Sequence, residues 1–272
     1  MGEVHRRADL FEIASEQWQW QTWEDRPYLT CKLLASWNHG FFTQAFAPEL
    51  PESLVKVFHP EIPAYRVKQV HGNTVLTSDE ISWEGQHFSP ADGIVSTAQQ
   101  QAVFVATADC TPALIGDRLT GQVAAVHAGW RGTAKRIIPE AIQKFLDAGS
   151  ELKNLLVALG PAISGEVYQV STDVAVEMGI SLGLQDLAND VDAMLLALEN
   201  LIESPILPDP DDGKVRLDVR RVNQLQLEQL GLDIAQVAIA PHCTYQQPEH
   251  FFSYRRSNEK KVQWSGIVSN RF

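Results

Sequence analysis

The chain has 272 residues, 44% of them hydrophobic, and a formal net charge of −12. That length and composition can build a full core, as one large domain or a closely fused pair, and they exclude a disordered chain. The acidic balance argues against nucleic acid or an anionic membrane as the main partner, because both need concentrated Lys and Arg. A small anion held by a few local arginines stays compatible with it.

Cys31, Cys110 and Cys243 are three widely spaced cysteines. An odd number in a chain too large to need stapling points to reduced thiols and a cytoplasmic protein. Residues 1–26 are polar and charged, without the apolar run of a leader. No stretch approaches the roughly 18 apolar residues of a membrane span.

In chain order, the alternating WQWQTW near the N-terminus predicts a strand at a sheet edge. A Gly- and Pro-punctuated loop follows Trp37, then a short helical pattern ending near His59 and Pro60. YRVKQV and TVLT, separated by His71-Gly72-Asn73, predict two strands joined at a tight turn. Residues 78–90 read as a loop, and DGIVST and QAVFVATADC as strands, the second apolar enough for a sheet centre. PALIGD and QVAAVHAG predict a hairpin, and Thr133 is placed to cap a helix that ends at Gly149.

LKNLLVALGPAI predicts a buried strand, and Ser171 or Thr172 caps the next helix. Residues 189–202 have helical spacing, ESPILPDPDDGK reads as a mobile surface connection, and VRRVNQLQLEQL predicts a helix stopped at Gly231. IAQVAIA and the stretch from Gln263 to Val268 complete the strands.

His71, Cys110 and His127 each fall where a β-type run ends, the place where α/β proteins put chemistry. Two imidazoles and a thiolate suit zinc with a fourth position open. They also suit blue copper if an axial ligand is near, although Met1, Met178 and Met194 are all distant in sequence. A third option makes Cys110 a nucleophile, His127 its base, and Asp109 or another carboxylate the orienting group. Arg131 sits in a glycine-rich turn entering a helix, where an anion could bind. Arg255 and Arg256 follow Phe251, Phe252 and Tyr254, a set able to hold a planar heterocycle.

QVHG at 69–72, TADC at 107–110, HAGWRG at 127–132, GPAI at 160–163 with Tyr168-Gln169-Val170, and CT at 243–244 with FFSYRR at 251–256 occur in this order. Together they resemble the YfiH family, also called the laccase-domain or multicopper polyphenol oxidoreductase-like family, over residues 38–268. The resemblance implies an α/β (α+β) fold, a single-domain layered sandwich with mixed β-sheets flanked by helices. In it, residues 1–37 form an N-terminal strand segment packed on a catalytic domain of 38–272.

It implies a zinc held by His71, Cys110 and His127. The implied activity is that of a purine nucleoside phosphorylase acting on adenosine, inosine and methylthioadenosine, with adenosine deaminase activity at the same site. Carried onto this chain, the catalytic residues are Cys110, His127 and Arg131, and the substrate-binding residues are Gln69, Arg131, Phe251, Tyr254 and Arg256.

The implied partners are purine nucleosides and phosphate, with no nucleic acid or membrane, and a monomer or small homo-oligomer. A copper polyphenol oxidase and a cysteine-dependent hydrolase or amidase editing peptidoglycan precursors are the family's alternatives. Multicopper chemistry needs several centres, and the eight histidines contain no His-x-His pair. Two departures stand out: Gln44 occupies a position where the family commonly has an arginine, and the usual Thr-Gly-Arg after FFSYRR is missing.

Overall fold

The computed structural model describes residues 16–82 and 88–270. Residues 1–15, where no leader is expected, and residues 83–87 of the expected 78–90 loop lie outside the described residues.

The N-terminal strands β1 (Trp18–Trp23) and β2 (Arg26–Cys31) form a hairpin, and β2 pairs with β3 (His39–Phe42). The helical pattern after Trp37 shrinks to α1 (Pro51–Leu54) and a 3-10 turn. Next come β4 (Ala64–Tyr65), β5 (Val75–Thr77), β6 (Gly93–Val95), β7 (Ala102–Thr107), β8 (Thr111–Asp117) and β9 (Val123–Ala128). The predicted β8/β9 hairpin forms. The predicted hairpin around His71 does not, because β4 pairs with β7 and β5 with β6, each in parallel. The chain through His71 therefore crosses from one sheet to another.

Beyond β9 lie α2 (Trp130–Ala134) and α3 (Ile137–Asp147), separated by Arg136 in the left-handed region. Gly129 caps α2, so Thr133 lies inside it and does not start a helix. Then follow β10 (Leu155–Leu159), β11 (Gln169–Ser171), α4 (Thr172–Ser181) and α5 (Val191–Glu199). The proline- and aspartate-rich segment expected as a loose connection contains β12 (Ile206–Pro208) and runs into β13 (Lys214–Leu217). Pairing of β13 with β11 and β12 supplies an order that local composition did not indicate. The helix α6 (Val219–Leu230) is capped by the Asp218 carboxylate and stopped by Gly231 at φ 97°. The chain ends with β14 (Val237–Ile239), the single turn α7 (Tyr254–Ser257) and β15 (Gln263–Val268).

One mixed sheet runs β1-β2-β3-β15-β7-β4 and a second runs β14-β10-β8-β9-β6-β5. Alternation along the strands explains how they stack. Leu114, Val123 and Ala125 meet Phe41, Val103, Val105 and Ile267 of the first sheet. Their neighbours Ala113, Ile115, Ala124 and Val126 pack under Ile137, Ala141, Ile142 and Phe145 of α3 and Leu227 of α6. A sheet buried on both faces must be apolar at every position, which accounts for the unbroken hydrophobic runs of β8 and β9. The chain is thus a mixed α/β sandwich, with a smaller lobe of α4, α5 and the sheet β11-β13-β12 around its own core. Among the described residues no helix is long and apolar enough to cross a membrane.

Candidate metal centre and substrate cleft

Cys110 directly precedes β8, and His127 is the penultimate residue of β9. The register pairs Thr111 with Ala128 and Pro112 with His127, so thiol and imidazole emerge at the same end of the hairpin. His71 joins them from the crossover between sheets, its backbone left-handed at φ 59°. The ligand atoms of the three residues lie within 4.8 Å of one another. The His71 and His127 rings meet edge to face with centroids 4.8 Å apart.

Asp92 fixes two of these residues at once. It immediately precedes β6, which pairs with β9. Its Oδ1 lies 2.8 Å from His127 Nδ1, and its carboxylate accepts the backbone N–H groups of Val70, His71 and Gly72. Nδ1 of His127 therefore holds the proton shared with Asp92, and Nε2 is left to act as a ligand. The sequence reading missed Asp92; its only signal was an Asp-Gly pair opening a strand. Asp109 is not the orienting carboxylate, because its oxygens accept from the Thr244 hydroxyl and the Arg255 N–H instead.

Two glycines make the approach possible. A Cβ on Gly129 would sit 2.8 Å from Cys110 Sγ, and one on Gly132 would sit 2.9 Å from the carbonyl oxygen of Gly72. The HAGWRG and QVHG segments interlock through these contacts.

Burial alone would raise the Cys110 thiol, but the charge of His127 and hydrogen bonds from His127 and His71 overcome it and bring the pKa down to about 6. Burial likewise opposes charge on His127, yet the Cys110 thiolate and the Asp92 hydrogen bond raise its pKa to about 9. Both shifts run in the direction that favours a thiolate beside an imidazolium when no metal is held.

The donor set fits a metal ion. Zinc bonds of about 2.0–2.3 Å in tetrahedral array place donor atoms about 3.3–3.8 Å apart, a contraction that side-chain rotation can supply from the observed spread. His71 is exposed, so the group faces a cleft. The cleft has a volume of about 680 Å³ and is walled by Trp130, Tyr168, Tyr254 and Trp264, with Arg131, Arg255 and Lys260 at its edge. Burial, then the nearby Cys110 charge, pushes Tyr168 up to about 12, so its hydroxyl stays protonated.

Of the substrate-binding residues expected from the resemblance, Gln69, Arg131 and Tyr254 line this cleft. The Gln69 amide is engaged in two hydrogen bonds with the backbone of Ala106, which fixes the crossover to β7. Arg131 stacks on Trp130, 4.3 Å from guanidinium carbon to ring centre. Its helix has only five residues, so the anion preference of the turn rests on the guanidinium more than on a dipole.

Phe251 and Arg256 stay outside the cleft. Phe251 is fully buried in the core between the sheets. Arg256 donates to the carbonyls of Thr244, Tyr245 and Phe251. Its neighbour Arg255 turns to the cleft instead, lying over the Tyr168 ring and donating to the Gln169 carbonyl. Gln44, away from the cleft, bonds to the Pro248 carbonyl.

The family described as "Multi-copper polyphenol oxidoreductase laccase" matches residues 52–269. A Synechocystis protein named as a purine nucleoside phosphorylase is 55% identical over 263 residues, covering 94% of this chain and 99% of that one. A protein from an unidentified prokaryote named as an adenosine deaminase is 29% identical over 195 residues, 70% of this chain and 68% of that one. Among solved structures, YlmD from Geobacillus stearothermophilus superposes with a TM-score of 0.75 at 21% identity, over 93% of this chain and 99% of that one. YfiH from Bacillus licheniformis gives a TM-score of 0.71 at 17% identity with the same coverage. The shared sandwich and the extent of the sequence match show that the chain belongs to the laccase-like YfiH family.

Proposed function

We propose that the chain is a zinc-dependent purine nucleoside phosphorylase acting on adenosine, inosine and methylthioadenosine, with adenosine deaminase activity at the same centre. It would work in the cytoplasm as a monomer or small homo-oligomer, with residues 1–37 packed on one catalytic domain. The observation that carries the reading is a His71–Cys110–His127 group opening on an aromatic, cation-edged cleft. Zinc held by these three residues would supply Lewis acidity.

The chain's own residues provide the rest. Trp130, Tyr168, Tyr254 and Trp264 offer flat surfaces to a purine and exclude water. Arg131 attracts phosphate and stabilises charge as the glycosidic bond breaks. The Tyr168 hydroxyl donates to a ring nitrogen or hydroxyl of the substrate. Asp92 keeps the proton at His127 Nδ1 throughout. In phosphorolysis a phosphate oxygen bonds to the anomeric carbon, and the base departs with the glycosidic electron pair.

The test is metal analysis of the purified protein, followed by incubation with adenosine and phosphate. Adenine with ribose 1-phosphate supports phosphorolysis, and inosine supports deamination. Neither product, with zinc fully loaded, removes the proposal.

A cysteine-dependent hydrolase is a second reading, favoured by the Cys110–His127–Asp92 line-up alone. Activity indifferent to chelators would select it. Copper electron transfer is disfavoured because Met178 and Met194 pack in the core of the smaller lobe and offer no axial ligand.

A further inference from the structure

Asp109 is a non-glycine residue in the left-handed region, at φ 89°, and it is buried. Such a conformation is strained for a residue with a Cβ and persists only where surrounding contacts impose it. Here three contacts do so. Oδ1 accepts the Thr244 hydroxyl at 2.7 Å, Oδ2 accepts the Arg255 N–H at 2.7 Å, and the carbonyl accepts the Ile163 N–H at 3.0 Å. One residue, adjacent to the ligand Cys110, thus ties down three distant segments.

The segment held by Oδ2 is α7, a single turn with little strength of its own. Its two arginines differ completely. The Arg256 guanidinium is spent on three backbone carbonyls. The Arg255 guanidinium is exposed at the cleft, donates to one carbonyl, and makes no ion pair among the described residues. Arg131 borders the same cleft, likewise without an ion pair among the described residues. We propose that Asp109 is a positioning residue that locks α7 to the strand end bearing Cys110, so that Arg255, and not Arg256, meets an inorganic phosphate in the cleft.

The proposal rests on the phosphorylase reading for its choice of anion, so its deciding readout is phosphate binding, measured apart from turnover. Inorganic phosphate is titrated by calorimetry into zinc-loaded wild type and the variants Arg255→Ala, Arg255→Lys, Arg256→Ala and Asp109→Asn, with melting and zinc content recorded for each. Asparagine tolerates the left-handed backbone, so Asp109→Asn removes the charge without adding strain.

Arg255→Ala should weaken phosphate binding at least tenfold at unchanged zinc content, with partial rescue in Arg255→Lys. Asp109→Asn should weaken it severalfold and raise the KM for phosphate more than it lowers kcat. Arg256→Ala should lower the melting temperature, and the folded fraction should keep its phosphate affinity. Wild type that binds phosphate through Arg255 yet cleaves no nucleoside would remove the phosphorylase reading and leave this proposal standing. Phosphate binding that is absent, or indifferent to Arg255, overturns it.

Discussion

Asp92 Oδ1 lies 2.8 Å from Nδ1 of His127, and the same carboxylate accepts three successive backbone N–H groups from the turn that carries His71. A single fully buried side chain therefore sets the tautomer of one candidate ligand and the approach of another.

Replacing it tests both roles. Asp92→Asn should reduce zinc affinity by about 10- to 100-fold, the usual effect of losing a carboxylate behind a ligating imidazole. Asp92→Ala should also destabilise the fold by about 1–3 kcal/mol, because three part-buried N–H groups and the His127 ring lose a shared, fully buried acceptor. Competitive metal titration and denaturant melts separate the two effects.

The glycine contacts make a second prediction. Gly129 has φ −71°, a value any residue can adopt, so Gly129→Ala acts only through the 2.8 Å approach of its Cβ to Cys110 Sγ. Zinc retention should fall while the melting temperature moves little. Gly132→Ala meets a backbone carbonyl that cannot swing away, so it should lower stability by about 1–3 kcal/mol. Zinc content and melting temperature should respond in opposite proportion in the two variants.

The pH dependence of thiol reactivity follows from the charge pair. With the Cys110 pKa lowered to about 6, the thiolate of metal-free protein is lost only as pH falls through about 6. Alkylation of Cys110, followed by peptide mass analysis after chelation, should show that midpoint, and zinc retention should weaken over the same range. Cys31 is a built-in control, since burial pushes its thiol up to about 11 and keeps it inert at neutral pH. A Cys110 midpoint near the ordinary value of 9.0 would contradict the charge pair.

Much of this was legible in the residues, for identifiable reasons. The β8/β9 hairpin and α6 announce themselves through apolar runs and a Gly231 stop, and the structure adds the Asp218 cap. Cys110 and His127 stand out because they sit at strand ends, whereas His71, expected at one, lies in the crossover between β4 and β5. The turn at His71 looks like a hairpin locally, but its flanking strands pair with β7 and β6, partners that only tertiary packing selects. Pro208 and its acidic neighbours imply a loose loop until β11 supplies a partner for β13. Asp92 was hidden for the same reason, since its importance lies in what is brought to it, and nothing in the local sequence separates Arg255 from its neighbour Arg256. Phe251 and Arg256 show the converse, an aromatic and a cation beside the cleft in sequence but committed to the core and to backbone carbonyls.

The proposed centre has two imidazoles and one thiolate on a single zinc, with one position left open. X-ray absorption at the zinc edge, on protein loaded with one equivalent, tests it most directly. The expected spectrum has one sulfur at about 2.3 Å and two imidazole nitrogens at about 2.0–2.1 Å with one further light atom, and the sulfur shell is lost in Cys110→Ser. A spectrum without sulfur, or one unchanged by Cys110→Ser, would contradict it.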